Sequence, residues 1–325
     1  MAFRIVFGTR LDAELTRIAE EQLTKAAAEL SGGGDRHEAI HDVRKRFKKL
    51  RALFRLMRSG DPALLRAENA RLRDAARALS AVRDRAALIE SLDALEAHFG
   101  SDVATDAFRP ARAELERRRD AAVEAEGDLG AKIATTLATI EECRAALSAA
   151  AFQRPLKRAP LIVAEGIHHT QRAARHALGE AATSGEAEAF HALRKHAKDH
   201  AAHLGLLLDL WPAAMRTARE AAAAIGDDLG LDHDYALLRA EMIAEPSAFG
   251  SEADRSVVLG LMDRRQGVLR AASLTSARRL FAESPKAAAA RFERLARDAA
   301  KAAQGEAAGE PDEVTALPFE SGLSA

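Results

Sequence analysis

The sequence predicts an all-α protein. Ala, Leu, Arg and Glu, which are among the strongest helix formers, dominate its 325 residues. Apolar residues recur every three or four positions, the spacing of one buried helical face. Stretches rich in Gly, Pro, Ser and Asp interrupt this pattern at intervals of about 15 to 45 residues, as expected for long helices joined by short turns.

These interruptions divide the chain into its candidate helices. In order, they lie at 31–35, 59–62, 98–102, 126–130, 178–186, 210–212, 248–252 and 282–286. The segment 4–7, with the sequence RIVF, is the one short candidate for a strand. The end of the chain has no basic residue but several acids, Gly and Pro, which predicts a disordered acidic tail at 303–325.

Composition limits the class of protein. No apolar run approaches the roughly 18 residues of a membrane span, and the first residues lack the pattern of a signal peptide. Cys143 is the single cysteine, so it cannot form an internal disulfide, which agrees with a reducing compartment. We therefore predict a cytoplasmic protein with no membrane partner, in which Cys143 fills space in the core.

Residues 40–58 concentrate positive charge on one predicted helix. They carry eight Lys or Arg and one Asp, although the formal net charge of the whole chain is −1. On a helical wheel, a basic stripe between about 20° and 100° lies directly beside the apolar stripe. The basic stripe consists of His41, Arg44, Lys48, Arg51 and Arg55. Charge runs usually form solvated faces, but no acidic residue lies on this side to pair with the stripe.

Three further cations of this helix lie on the opposite side of the wheel, where Arg46, Lys49 and Lys45 are interpreted as charge that keeps the surface soluble. Lys45 nevertheless belongs to a pattern that occurs twice in the chain. At an offset of 150 residues, His41, Arg44, Lys45 and Lys48 align with His191, Arg194, Lys195 and Lys198. Pro62 aligns with Pro212, and Asp84 with Asp234, with no net gap. The repeat predicts two similar helical halves, at about 8–150 and 158–298, each a bundle of about four helices.

The second copy of the pattern is shorter than the first. Ala201 and Gly205 stand where the first half has Arg51 and Arg55. We therefore expect the second stripe to make fewer contacts with any ligand.

The segments HDVRKRFKKLRALFRL and HALRKHAKDHAAHL resemble the paired signature helices of the CHAD family, the conserved histidine α-helical domain. SAVRDRAALIESL and LGLDHDYALL resemble the next segment of that family in each half, and residues from RRQGVLR onward resemble its closing helices. The resemblance implies one domain at 1–300, built of two four-helix bundles related by a pseudo-twofold axis around a basic central cavity. It also implies binding of inorganic polyphosphate and association with polyphosphate granules and with granule proteins.

Repeat, stripe and resemblance together give the candidate binding residues. They are His41, Arg44, Lys45, Lys48, Arg51, Arg55, His191, Arg194, Lys195 and Lys198. A second set of basic residues is also predicted to contribute: Arg66, Arg73, Arg83, Arg216, Arg264, Arg265, Arg279 and Lys286. Two basic stripes facing one cavity would repel each other by several kcal/mol at close range, so the arrangement favours an anionic ligand. Arg offers a planar fork of donors for phosphate, and His a hydrogen bond that phosphate could charge.

Two other classes of function stay open at this point. A nucleic acid is the competing polyanion, but the basic stretches contain no Tyr or Trp on which bases could stack. His196, His200 and His203 share a helical face and could bind zinc or nickel, for instance in an enzyme acting on phosphorylated substrates, although buried packing histidines are the simpler interpretation. Asp232, His233 and Asp234 could serve acid–base or metal chemistry, but the repeat shares only the last Asp, which favours pairing with a basic neighbour or capping a helix. We expect no cofactor and no catalysis, because no phosphate-loop, metalloprotease or nucleophile motif is present.

Overall fold

The computed structural model describes residues 3–32, 34–79, 81–100, 105–125, 127 and 129–308. This part of the chain is helical throughout and contains no strand, so the all-α class is confirmed. Eleven α-helices lie within it. Their bounds are α1 Leu11–Ser31, α2 Arg36–Leu56, α3 Pro62–Ala78, α4 Ala81–Phe99, α5 Arg109–Ala125, α6 Leu129–Ser148, α7 Ala159–Ser184, α8 Ala187–Leu206, α9 Pro212–Ala244, α10 Glu252–Leu280 and α11 Pro285–Ala308.

The first apolar cluster is built around α2. The apolar stripe of this helix is buried against α1 and α3, which themselves pack on α6. Phe47 and Leu50 at its centre are fully buried. Two residues fix the start of helix α3. Asp61 caps it by accepting a hydrogen bond from the backbone N–H of Leu64 at 3.0 Å, and Pro62 occupies the first turn.

A second cluster joins α7, α8, the first part of α9 and the end of α10 around Phe190, Leu229 and Phe281. A third joins α4 and α5 to the remainder of α9 and α10 around Leu92, Tyr235 and Met262. Helices α4 and α5 of the first half therefore pack across onto the second half. This differs from two self-contained four-helix bundles, and the twofold relation between the halves stays a prediction.

The two signature helices meet near the end of α2. Helix α2 contacts both α7 and α8. At Gly166 on α7, an added Cβ would lie 2.1 Å from the carbonyl oxygen of Leu56, so only glycine allows the two backbones to approach this closely. The close contact fixes α7 beside the C-terminal end of α2.

Four local predictions need correction or completion. Residues 4–7 form no strand; Ile5 is buried, and its N–H donates to the carbonyl of Leu206 at 2.9 Å. The interruption expected at 178–186 is confined to its end, because α7 continues to Ser184. Helix α11 continues to Ala308, so the first residues of the predicted tail are helical, and 309–325 lie outside the described residues.

The interpretation of Arg46 as solvating charge is wrong. Helix α1 packs on that side of α2, and the Arg46 guanidinium is partly buried there, paired with Glu29. It also donates to the side chain of Gln22 at 3.5 Å. Lys49 does stay exposed, with its ammonium 5.8 Å from the centre of the Phe3 ring.

Candidate phosphate-binding groove

A groove of about 550 Å³ lies between α2, α4, α8 and α9, and we call it the basic groove. Its cations are Arg44, Lys45 and Lys48 from α2, and Arg194 and Lys198 from α8. His41 and His233 also line it. The packing of α2 on α8 thus brings cations of both signature helices to a single surface.

Arg44 is largely enclosed, with 17% of its side chain exposed. Its Nη2 donates to Asp84 of α4 at 3.0 Å. Its Nη1 is buried and has no hydrogen-bond partner among the described residues. Buried polar atoms almost always have a partner, so this nitrogen is a donor available to a ligand.

The surroundings of Lys48 shift the pKa of its ammonium group. Protein atoms crowd its ammonium group even though the side chain retains contact with solvent. This desolvation, together with repulsion from Arg44, Lys198 and Arg194, lowers the pKa of Lys48 to about 8. The contributions of Arg44 from α2 and of Lys198 and Arg194 from α8 show that positive charge from both helices surrounds this ammonium group, where an anion would relieve the repulsion.

On α8, two glycines of α9 make room for the cations. An added Cβ at Gly226 would lie 2.7 Å from Cγ of Lys198, and one at Gly230 would lie 3.4 Å from Nη2 of Arg194. The stem of Lys198 and the guanidinium group of Arg194 therefore lie across bare backbone. Arg194 Nε donates to the carbonyl of Gly226 at 3.4 Å, and the Lys198 ammonium pairs with Asp227 at 3.1 Å.

The two signature histidines occupy different environments. His41 lines the basic groove, whereas His191 stacks against His233 with ring centroids 3.8 Å apart, and it is His233 that lines the groove. Burial and the neighbouring His233 lower the pKa of His191 to about 4. Its imidazole is therefore neutral near pH 7, and its buried Nδ1 has no partner within the protein.

Carboxylates form the opposite wall of the basic groove, a feature absent from the sequence-based list of binding residues. They are Asp84, Glu90 and Asp234. Asp84 pairs with Arg44, as the repeat predicted for this aspartate, and Asp234 accepts a hydrogen bond from Ser91 at 3.4 Å. The offset of 150 residues that aligns Asp84 with Asp234 was the available signal for this wall. These carboxylates lie on α4 and α9, so the groups that could bind an anion are the cations of α2 and α8.

Besides His191, three predicted residues are absent from the residues that line the basic groove. Arg51 donates to the side-chain oxygen of Asn69 at 3.3 Å, and Arg55 donates to the same oxygen at 3.0 Å and pairs with Asp199 on α8. Lys195 is exposed and lies 3.7 Å from Glu188. The stripe on α2 is therefore divided: its first turns face the basic groove, and its last turns face α3 and the second half.

The second predicted set does not gather at the basic groove. Arg66, Arg279 and Lys286 line three separate cavities. Arg73 pairs with its neighbour Asp74, and Arg264 lies over the Phe99 ring. Arg216 is exposed, and Arg265 is partly buried near Asp228. The side chain of Arg83 lies outside the described residues.

The histidines considered for a metal site do not converge. His203 is fully buried, with Nε2 3.0 Å from the carbonyl of Ala52 and Nδ1 3.3 Å from the Thr170 hydroxyl. His200 lies against the Phe281 ring. Burial lowers the pKa of His203 to about 3 and that of His200 to about 4. Within the described residues, no three His, Cys, Asp or Glu side chains are grouped as a metal ion would require.

Other candidate residues have structural surroundings. His196 lines a separate cavity of about 950 Å³ between α7 and α8. Cys143 is buried, and burial raises the pKa of its thiol. Asp232 is buried and accepts hydrogen bonds from Arg270 at 2.6 Å and Gln266 at 3.0 Å. The described helices include none that is long and apolar enough to cross a membrane.

Comparison with known proteins agrees with the all-α fold. Residues 17–242 match the sequence profile of the CHAD domain. The chain belongs to the CHAD family. A solved CHAD domain from the plant Ricinus communis is similar in structure, with a TM-score of 0.57 and 19% sequence identity, over 87% of this chain and 95% of that one. At that identity the likeness shows the CHAD fold alone. No curated protein matches the sequence.

Proposed function

We propose that the basic groove binds inorganic polyphosphate. The observation that carries the proposal is the convergence of Arg44 and Lys48 with Arg194 and Lys198, cations that stand 150 residues apart in sequence, on one surface. Each phosphate of such a chain presents oxygen acceptors, which match the forked donors of Arg and the compact charge of Lys.

One feature favours a chain of phosphates over a nucleic acid. Among the described residues that line the basic groove there is no Phe, Tyr or Trp on which a base could stack. The exposed Trp211 lines a different cavity, beside Arg279.

The proposal includes no catalytic step. The Asp84 carboxylate is engaged by Arg44, and neutral His191 is covered by His233. Binding without chemistry would serve to attach the protein, and any partner proteins, to polyphosphate granules in the cytoplasm. Fluorescent labelling of the protein in cells that accumulate polyphosphate, with an Arg44→Glu variant as control, tests that localisation.

Selectivity is the direct test of the ligand. Long-chain polyphosphate, single-stranded RNA and duplex DNA, matched for total charge, are titrated against the protein at several salt concentrations. Polyphosphate should bind most tightly, and its affinity should fall with salt through counterion release. RNA binding as tight as that of polyphosphate at physiological salt would refute the proposal, as would an affinity for polyphosphate that does not depend on salt.

A further inference from the structure

A second cavity lies at the C-terminal end of α2, where α2, α3 and α7 meet. It has a volume of about 330 Å³, and we call it the helix-end cavity. Its polar lining consists of Arg55, Arg58, Ser59, Arg66 and His169. Among the described residues that line it there is no carboxylate, in contrast to the basic groove.

The three guanidinium groups are only partly satisfied by the protein. Nε of Arg55 is buried without a hydrogen-bond partner, and so is the Ser59 hydroxyl. Arg66 uses its Nε on the carbonyl of Pro62, at 2.8 Å. Within the described part of the chain, Arg58 makes no hydrogen bond or ion pair. Buried donors without partners are costly, and guanidinium groups around one small cavity repel one another.

The close packing of α7 on α2 creates this concentration of charge. Gly166 brings α7 against the backbone of Leu56, which carries His169 to the edge of the cavity. Desolvation lowers the pKa of His169, and the charge of Arg58 lowers it further. The charge of Arg58 therefore acts across the cavity. The neighbouring Asp199 is already engaged by Arg55, and Asp61 by the N–H of Leu64.

We infer that the helix-end cavity is a second phosphate-binding site, separate from the basic groove, that takes one compact phosphate group or a pyrophosphate. The buried Nε of Arg55, the exposed guanidinium groups of Arg58 and Arg66 and the Ser59 hydroxyl surround a small volume, which suits the oxygens of a single tetrahedral anion. The site does not depend on what occupies the basic groove. An isolated phosphate compound and the end of a long polyphosphate chain present this same chemistry.

The arginines of the site all belong to the first half of the chain, which provides a matched control. At the repeat offset, Gly205 and Leu208 replace Arg55 and Arg58, while Arg216 corresponds to Arg66. Arg216 is exposed on α9 and lines neither the basic groove nor the helix-end cavity. Replacing Arg216 removes the same charge as replacing Arg66 without altering the proposed site.

Pyrophosphate binding to a protein with a weakened basic groove tests the inference. In an Arg44→Gln/Arg194→Gln background, calorimetry should still detect pyrophosphate. Adding Arg58→Gln and Arg66→Gln should weaken that binding at least tenfold, whereas adding Arg216→Gln should leave it unchanged. Circular dichroism checks folding; if the combined variant is unfolded, the same pairs are compared in the wild-type background.

The inference is overturned if pyrophosphate binding is absent, disappears with the groove substitutions alone, or survives loss of Arg58 and Arg66. Those arginines would then only complement the carbonyl end of α2. Loss of long-chain polyphosphate binding in the groove variant concerns the proposed function alone. Adding long-chain polyphosphate to the wild-type protein identifies the source: displacement of pyrophosphate assigns the site to the chain, and retention assigns it to a separate phosphate compound.

Discussion

Helices α2 and α8 each place cations in the basic groove, but they hold them differently. On α2, the enclosed Arg44 is fixed by a carboxylate of α4, Asp84. On α8, Arg194 and Lys198 lie across Gly226 and Gly230 of α9. Both helices hold a cation with an ion pair, since Lys198 pairs with Asp227, but only on α8 do the cations also lie against glycines of the neighbouring helix.

The difference changes how the two stripes should be compared. Counted along the sequence, the first stripe has two extra arginines. In the structure Arg51 and Arg55 contact Asn69 and Asp199 and do not line the basic groove. Helices α2 and α8 therefore contribute similarly to the groove. If polyphosphate binds there, the halves should matter about equally.

Charge reversal should give the largest effect on binding. Arg44→Glu or Arg194→Glu replaces an attractive contact with a repulsive one, and each should weaken polyphosphate binding by about 10- to 100-fold, equivalent to about 1.5–3 kcal/mol. Titration with fluorescently labelled polyphosphate measures the change. Lys49→Glu on the exposed side of α2 is the matched control; an equal loss there would mean that nonspecific charge, and not the groove, attracts the ligand.

Filling the space that Gly226 leaves for Lys198 should weaken polyphosphate binding less than charge reversal does. The effect should arise from the contacts of α8 alone. Gly226→Ala brings a methyl group against the stem of Lys198 and displaces its ammonium, so we expect polyphosphate binding to weaken several-fold with no change of charge. Gly179→Ala, at a site with no heavy atom within 4 Å, is the control. Unchanged affinity in a folded Gly226→Ala protein would show that the position of Lys198 is unimportant.

Proton uptake should identify Lys48 as part of the same surface. Its pKa of about 8 in the free protein means that roughly half of it is neutral at pH 8. A bound phosphate favours the charged form and raises this pKa, so binding at pH 8 should take up as much as about half a proton. Affinity should also fall as the pH rises from about 7 to 9. Calorimetry in buffers of different ionisation enthalpy measures the uptake, and uptake that persists in Lys48→Arg would assign it elsewhere.

The smallest effects should come from candidate residues that do not line the basic groove. Arg51→Gln and His196→Gln should each change polyphosphate affinity by less than about twofold, since neither side chain lines the groove. A metal chelator should likewise leave binding unchanged. A tenfold loss of affinity with Arg51→Gln would mean that the last turns of the α2 stripe also contact polyphosphate.

The sequence was sufficient for the helical class and for most of the groove. Periodicity revealed the buried face of α2, and the repeat revealed Arg44, Lys48, Arg194 and Lys198. Both signals can be found in the sequence without knowing which helices become neighbours. The role of Asp84 followed from its place in the same alignment.

Other features depended on which helices become neighbours. Arg46 was misassigned because nothing on its own helix shows that α1 and Glu29 cover it. The division of the stripe at Arg51 depends on Asn69, a residue of α3. The stacking of His191 under His233 joins two helices whose angle no periodicity gives. Helix propensity cannot supply such contacts, since they arise from tertiary packing.

The salt dependence of polyphosphate binding tests most directly whether both signature helices form one site. Affinity is measured over a range of salt for the wild type, for Arg44→Gln/Lys48→Gln and for Arg194→Gln/Lys198→Gln. Each pair should lower the slope of log affinity against log salt by roughly 1.5 to 2 units, and by similar amounts, because each removes two phosphate contacts. A slope that falls only with the α2 pair, while the α8 pair behaves as wild type, would contradict a groove shared by the two helices.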